Sequence, residues 1–220
     1  MCFVEDLIGN ILSRQGVSKL MLEIRKSKLM LEIRKSKLML EIRRKFLHIF
    51  LGIIFFCLLV LFPKDVVLLF ILVLIFGGLI SAYLYAKYDI PILKWVSTTL
   101  DRPSRFPFRG AIMFLIGCFA AVLFFSSFYA ALSILILSIG DGIAAIVGHY
   151  LGKHKIVKNK TLEGTTAFFI STLMLLIFFL PTFKAFFVAL IIALVELTTP
   201  QYIDDNIAIP LVSGVLLTLL

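Results

Sequence analysis

Soft metal ligands are scarce in this chain, which has three cysteines and three histidines among 220 residues. Cys2, Cys57 and Cys118 are scattered, and no CxxC or paired Cys/His spacing occurs. A zinc site or a disulfide framework is therefore unsupported, and the cysteines read as small apolar residues. Acids are few as well, 13 against 22 lysines and arginines. Neither HExxH nor a GxSxG elbow is present, which leaves no hydrolase signature. Gly148 to His154 approaches a phosphate-binding loop but has one residue too few between its glycines. It also places His154 where a Ser or Thr must hold magnesium. No signal peptide is visible, because the basic N-terminal region is too long and no small-residue cleavage site follows.

Apolar residues make up 61% of the chain, and the mean hydropathy is +1.08. These values lie far from those of a soluble globular domain. A spanning helix needs about 20 predominantly apolar residues. Phe46–Phe62, Val66–Ala86, Gly110–Phe125, Tyr129–Leu151, Thr165–Leu180 and Phe183–Leu197 come close, and the shorter Ala208–Leu220 reads as a half-span or a shielded helix. The expected fold is all-α, a polytopic transmembrane helix bundle of six to seven spans.

The net charge of +9 is unevenly placed. Ser18–Lys26, Ser27–Lys35 and Ser36–Arg44 are near-identical nine-residue copies, SKLMLEIRK twice and then SKLMLEIRR. Each has three basic residues and one acid, so together they supply +6 of the +9. Nine residues are about two and a half helical turns, which rotates each copy by about half a turn from the last. The Leu-Met-Leu clusters therefore alternate sides and build no single stripe. Residues 1–44 read as a basic N-terminal arm forming an interfacial helix, a local tandem duplication. Residues 45–220 read as the membrane-embedded domain.

Basic residues in short loops mark the cytoplasmic face. With the arm inside, the chain emerges at Pro63-Lys64-Asp65 and returns through Lys87 to Arg109, which includes Lys94, Arg102 and Arg105. It turns outside near Ser126-Ser127 and again between Pro181 and Lys184. Lys153, Lys155, Lys158 and Lys160, and the stretch from Thr198 to Asn206, then fall inside. The expectation is an integral cell-membrane protein whose polar motifs all face the cytosol.

Four polar clusters need an explanation. Asp141 stands at the edge of an apolar window between Gly140 and Gly142, where a carboxylate is costly and is read by default as functional. Gly148 and Gly152 stand four apart, a spacing equally suited to close helix packing. Lys153, Lys155 and Lys160 precede Glu163 at a helix entrance, where an acid binds a metal or complements the helix N-terminus. Glu196, Asp204, Asp205 and Asn206 form an oxygen-rich group suited to Mg2+, or a solvated turn with a helix cap. Arg44 and Lys45 lead into His48, which by residue logic alone is an interfacial histidine. Acids for Mg2+ and lysines for phosphate oxygens are the ingredients of phosphoryl transfer.

In order and spacing these clusters resemble the CTP-dependent lipid alcohol kinases, which act on dolichol, phytol, polyprenol or diacylglycerol. The resemblance runs through Glu41-Ile42-Arg43-Arg44-Lys45 with His48 and Gly52, Arg109-Gly110 and Gly117, and Gly140-Asp141 to Gly152-Lys153. It continues in Lys160-Thr161-Leu162-Glu163-Gly164, with Thr where the family more often has Ser, and in Glu196, Asp204-Asp205-Asn206 and Pro210. It implies transfer of the CTP γ-phosphate to a long-chain alcohol at the cytosolic interface, with Mg2+. It also implies that Asp141, Glu163, Glu196, Asp204 and Asp205 handle metal and triphosphate, with Asp141, Glu163, Asp205 and His48 as the catalytic set. Arg44, Lys45, Gly140, Gly148, Gly152, Lys153, Lys155, Lys160 and Asn206 would contact nucleotide and phosphate. The partners implied are a lipid alcohol, a nucleoside triphosphate and the bilayer, with no nucleic acid. The chain is short beside dolichol kinases, which favours an alcohol of the phytol, geranylgeraniol or polyprenol type.

Two other classes compete. A CTP-using phosphatidate or archaeol cytidylyltransferase has a similar Gly/Asp/Lys texture but releases pyrophosphate. A transporter would use Asp141 and Glu196 as ion sites, yet such sites lie near the midplane at a repeat interface, and no duplication of the spans is evident. Asp141-Gly142 also begins like the CDP-alcohol phosphatidyltransferase motif, but Ala145-Ile146 stands where Ala-Arg is needed and no spaced aspartates follow.

Overall fold

All seven apolar windows are helical in the computed structural model. It describes residues 2–101, 106–157, 160–199 and 203–219, with side chains from residue 21 onward other than 22, 34 and 37. Arg102, Arg105 and Lys158 therefore lie outside the described residues. The helices are α1 (Cys2–Leu61), α2 (Lys64–Lys87), α3 (Pro91–Leu100), α4 (Arg109–Phe124), α5 (Ser127–Leu135), α6 (Gly142–Tyr150), α7 (Leu162–Ile177), α8 (Thr182–Thr198) and α9 (Asp205–Leu219). A π-helical segment, Ile136–Asp141, joins α5 to α6. The strands β1 (Lys155–Val157) and β2 (Lys160–Thr161) pair as an antiparallel hairpin ahead of α7. The fold is all-α apart from this hairpin. The stretches Glu23–Leu61, Lys64–Lys87 and Ser127–Tyr150 are long and apolar enough to cross a bilayer, while α4, α7 and α9 are shorter apolar helices.

Two compact units divide at Met39/Leu40. In the first, Met21, Leu29, Met30, Leu31 and Ile33 are all exposed, as expected for copies whose apolar clusters alternate sides. The second, Leu40–Leu220, has a core built around Phe55, Phe114, Phe168, Leu132, Ile192 and Ile209. Alternating spacings of three and four residues along α2 leave Val66, Leu69, Val73, Phe76, Ile80 and Tyr83 exposed along one side. So large an uncovered apolar surface suits lipid, not water. Cys57 and Cys118 are free thiols.

Small residues set how closely these helices approach. Gly117 on α4 faces the start of α9, where an added Cβ would collide with the backbone carbonyl oxygen of Asn206 and sit 3.3 Å from Pro210 Cγ. That carbonyl is main chain and has little room to yield. Gly77 on α2, by contrast, has nothing within 4 Å of such a Cβ. Gly117→Ala should lower stability by about 1–3 kcal/mol, the usual cost of overpacking. Gly77→Ala should be neutral or stabilising by a few tenths to about 1 kcal/mol, through helix propensity. Thermal unfolding of both variants in the same detergent checks the contrast.

Candidate functional site

Charge brings distant segments of the Leu40–Leu220 unit together. Lys45 on α1 is buried and forms an ion pair with Asp141, 96 residues further along, at the end of the π-helical segment. The wide π turn inserts a residue into the helix and commonly marks functional sites. Here it closes on the carboxylate that opens α6. One residue before Lys45, Arg44 holds Glu41 at 2.5 Å. It also lies within electrostatic reach of Asp141 and Asp204. His48, one turn further along α1, is buried with its ring 4.5 Å from that of Phe114.

A second node centres on Lys160 in β2. Its ammonium reaches Glu196 Oε1 at 2.9 Å and Asp205 Oδ2 at 3.0 Å, and it also donates to the Glu196 carbonyl. Burial works against the charge of Lys160, but Glu196 and Asp205 outweigh it, and its pKa is raised above the ordinary 10.5. Thr165 Oγ1 donates to Glu196 Oε2 at 3.2 Å. Asp204 accepts from the Asn206 backbone N–H at 3.2 Å and from its side-chain amide at 2.9 Å, which fixes the entry to α9. The two nodes interact, since Asp205 and Glu196 both lie within electrostatic reach of Asp141. Segments from α1, the π turn, β2, α8 and α9 thus contribute to one charged cluster.

Other residues singled out in the sequence lie elsewhere. Glu163 in the first turn of α7, ahead of the apolar stretch, faces His154, with Oε1 2.7 Å from the ring Nδ1 and 3.2 Å from the backbone amide. Hydrogen bonds from backbone N–H groups, its own first, and from His154 lower its carboxyl pKa to about 2. It clasps the loop before the hairpin and is not among the partners of Lys160. Lys153 and Lys155 are exposed. Protein atoms crowd the three candidate phosphate-binding glycines. A Cβ on Gly140 would lie 2.9 Å from Thr172 Oγ1, and one on Gly148 would lie 3.0 Å from Thr161 Oγ1. One on Gly152 would collide with the Gly148 carbonyl. These glycines let α6, the π turn, the hairpin and α7 pack closely.

Among the described residues no group of three or more His, Cys, Asp or Glu side chains forms a metal-binding set. Of the five acids proposed for metal, Asp141 pairs with Lys45, Glu196 and Asp205 with Lys160, Glu163 with His154 and Asp204 with Asn206. The cluster sets Arg44, Lys45 and Lys160 beside Asp141, Glu196 and Asp205. Arg44 Nε and His48 Nδ1 are buried with no hydrogen-bond partner among the described residues. Such unmet groups cost about 1–3 kcal/mol each when buried, and a bound ligand would relieve the cost.

Sequence reasoning did not single out Asp101. It is buried at the C-terminal end of α3 and accepts from the Phe108 N–H at 2.6 Å. Phe108 adopts a left-handed conformation with φ 59°. Asp101 and Arg44 both flank Gly110, since a Cβ there would lie 3.9 Å from Asp101 Oδ1 and 3.8 Å from Arg44 Nη1. An aspartate next to Arg102 in a basic loop carries no sequence signal that separates it from an ordinary turn acid.

No family model matches the chain, and neither does any solved structure. Known sequences do. The chain is 32% identical over 169 residues to the uncharacterized protein MJ1137 of Methanocaldococcus jannaschii, which covers 76% of this chain and 86% of that protein. It is 29% identical over 149 residues to dolichol kinase sec59 of Schizosaccharomyces pombe, covering 64% of this chain and 25% of that enzyme. An uncharacterized protein of Rickettsia prowazekii is 29% identical over 119 residues, 50% of this chain and 58% of its own.

The Glu163 clasp has a definite pH signature. With its pKa lowered from 4.5 to about 2 on folding, it contributes stability above pH 4.5 that is lost as pH falls toward 2. Glu163→Gln should therefore lower the thermal midpoint at neutral pH. The difference from the parent should shrink as pH is lowered from 4.5 to 2, which melting curves in a pH series will show.

Proposed function

The chain belongs to one family with the Methanocaldococcus jannaschii protein MJ1137 and is a distant homologue of dolichol kinase sec59, and on that premise we propose that it is a membrane lipid kinase. Its donor is CTP and its acceptor a long-chain isoprenoid alcohol such as phytol, geranylgeraniol or polyprenol. The chain spans a quarter of the dolichol kinase's length, so the whole of that enzyme's activity is not carried over. The helices form a bundle of six to seven spans, with the N-terminus and the site facing the cytosol, where nucleotides are.

The observation that carries this assignment is the cluster of cations held by exchangeable carboxylates. Lys45 is paired with Asp141, and Lys160 with Glu196 and Asp205, while Arg44 Nε and His48 Nδ1 lack hydrogen-bond partners among the described residues. A triphosphate supplies many acceptor oxygens at one place. Lys45, Lys160 and Arg44 take those oxygens, and charge-assisted bonds of this kind are the strong ones. The carboxylates released from the lysines then face the incoming alcohol. Magnesium enters on the triphosphate and needs only one or two protein carboxylates in that form. No step here depends on a metal cage in the protein.

In the transfer, the alcohol oxygen forms a bond to the γ-phosphorus as the bond from that phosphorus to the β,γ-bridging oxygen breaks. CDP leaves and the lipid becomes a monophosphate. Asp141 accepts the alcohol proton, being the carboxylate that Lys45 gives up when it turns to phosphate. His48, its ring tilted against that of Phe114, lines the same pocket and offers its ring Nδ1 to the nucleotide. Asp204 and Asn206 brace the start of α9 so that Asp205 stays opposite Lys160. Little covalent chemistry falls to the protein, and positioning with charge neutralisation supplies the rate.

Purified protein in vesicles with γ-labelled CTP and a panel of prenols and diacylglycerol provides the test. The expected products are labelled lipid monophosphate and CDP. Asp141→Asn and Lys45→Met should each lower turnover by about 10²-fold or more, the usual scale for losing one preorganised charge. Pyrophosphate release with a CDP-lipid product would replace the kinase with a cytidylyltransferase. No nucleotide-dependent phosphorylation of any lipid would reject the assignment.

A further inference from the structure

None of the ten residues of α3 is buried, yet its side chains are sorted by polarity. At about 100° per residue, Ile92, Leu93, Trp95, Val96 and Leu100 fall within an arc of roughly 160°, with Thr99 the one polar residue among them. Lys94, Ser97 and Thr98 occupy the opposite side. Leu93, Val96 and Leu100 are half-buried, whereas Ile92 is 71% exposed and Trp95 64% exposed. A ten-residue helix with an apolar face and little protein cover is marginal in water, so something else must take up that face.

Its surroundings identify the occupant as lipid. Helix α2, 24 residues long and lipid-facing along one side, ends in Tyr83, Lys87 and Tyr88. Lys87 Nζ lies 5.6 and 5.4 Å from the ring centres of Tyr83 and Tyr88 and 3.2 Å from the Tyr83 hydroxyl. Aromatic rings with a snorkelling lysine at the end of an apolar helix mark the headgroup level of a bilayer. The linker Tyr88-Asp89-Ile90 spans at most about 10 Å, so α3 begins at that same level. Its polar side carries the exposed Lys94–Asp89 pair at 2.5 Å. At its other end, Asp101 flanks Gly110 together with Arg44 of the charged cluster.

We propose that α3 is an interfacial helix lying in the headgroup layer, with Ile92 and Trp95 among the lipid chains, on the side of the bilayer that holds the Arg44–Lys45–Asp141 cluster. A short amphipathic helix binds there through buried apolar area. The location rests on α2 crossing the bilayer, while the kinase assignment is independent of it. For a kinase the consequence is that the phosphate-binding cations sit at the depth where a lipid alcohol presents its hydroxyl.

Trp95 is the only tryptophan in the chain, so the emission of the unmodified protein reports this helix alone. The protein is reconstituted into vesicles containing lipids brominated either just below the headgroup or near the chain ends, with iodide as the aqueous quencher. Blue-shifted emission, lost mainly to the shallow brominated lipids and little affected by iodide, is the expected result. Quenching by iodide as in a free tryptophan amide, strongest quenching near the chain ends, or no quenching by either lipid would each overturn the proposal. Active phosphorylation with Trp95 in water removes the interfacial helix and leaves the kinase. Shallow quenching in a protein without phosphorylation removes the kinase and leaves the helix.

Discussion

A charge buried among apolar helices must be matched, and that requirement organises the Leu40–Leu220 unit. Lys45 and Asp141 are 96 residues apart in sequence, and Lys160 and Asp205 are 45 apart. Leaving one member of a buried pair uncompensated costs about 3–5 kcal/mol. The Lys45–Asp141 pair therefore holds α1 against the π turn, and the half-buried Lys160–Asp205 pair holds β2 against α9. Replacing such a pair by apolar residues is often neutral or stabilising, so stability alone does not explain why lysines and acids occupy these positions. The proposed exchange of carboxylate for phosphate would account for it.

The packing supports the charges. Gly52 on α1 admits the Ser138 side chain so closely that a Cβ would collide with it, which brings α1 against the π turn. A Cβ on Gly142 would lie 2.8 Å from the Ile49 side chain, one turn past Lys45. These contacts hold the helix carrying Lys45 against the turn carrying Asp141. The hairpin does the same for Lys160, placing it across from α8 and α9 without lengthening α7. Polar groups thus gather where small residues let backbones approach.

Much of this was legible in the sequence because the apolar windows are long and their ends are marked by charge or proline. Each of the seven windows became helical, and the cations and acids of the cluster were all named in the sequence, Arg44 and Lys45 through the family resemblance. The parts that were missed are those that depend on tertiary context. Pro91–Leu100 looked like loop because its length is short and its lysine matched the surrounding basic segment. The hairpin is five described residues with no alternation to read. Glu163 carried the local signals of a metal ligand and of a helix N-terminus, and its contact with His154 could not be read from either. Gly140, Gly148 and Gly152 fitted phosphate binding and helix packing equally well, and each lies close against neighbouring protein atoms.

The most direct test of the central claim separates a structural ion pair from one that yields to phosphate. Exchanging the charges, with Lys45→Asp and Asp141→Lys in one protein, keeps the pair but moves the cation from α1 to the π turn. The parent and the exchanged protein, both checked for cooperative thermal unfolding, are titrated with CTP in the presence of magnesium. The account predicts that the exchanged protein folds and binds CTP at least tenfold more weakly, a loss of about 1.4 kcal/mol or more. A folded exchanged protein that binds CTP as tightly as the parent would contradict it.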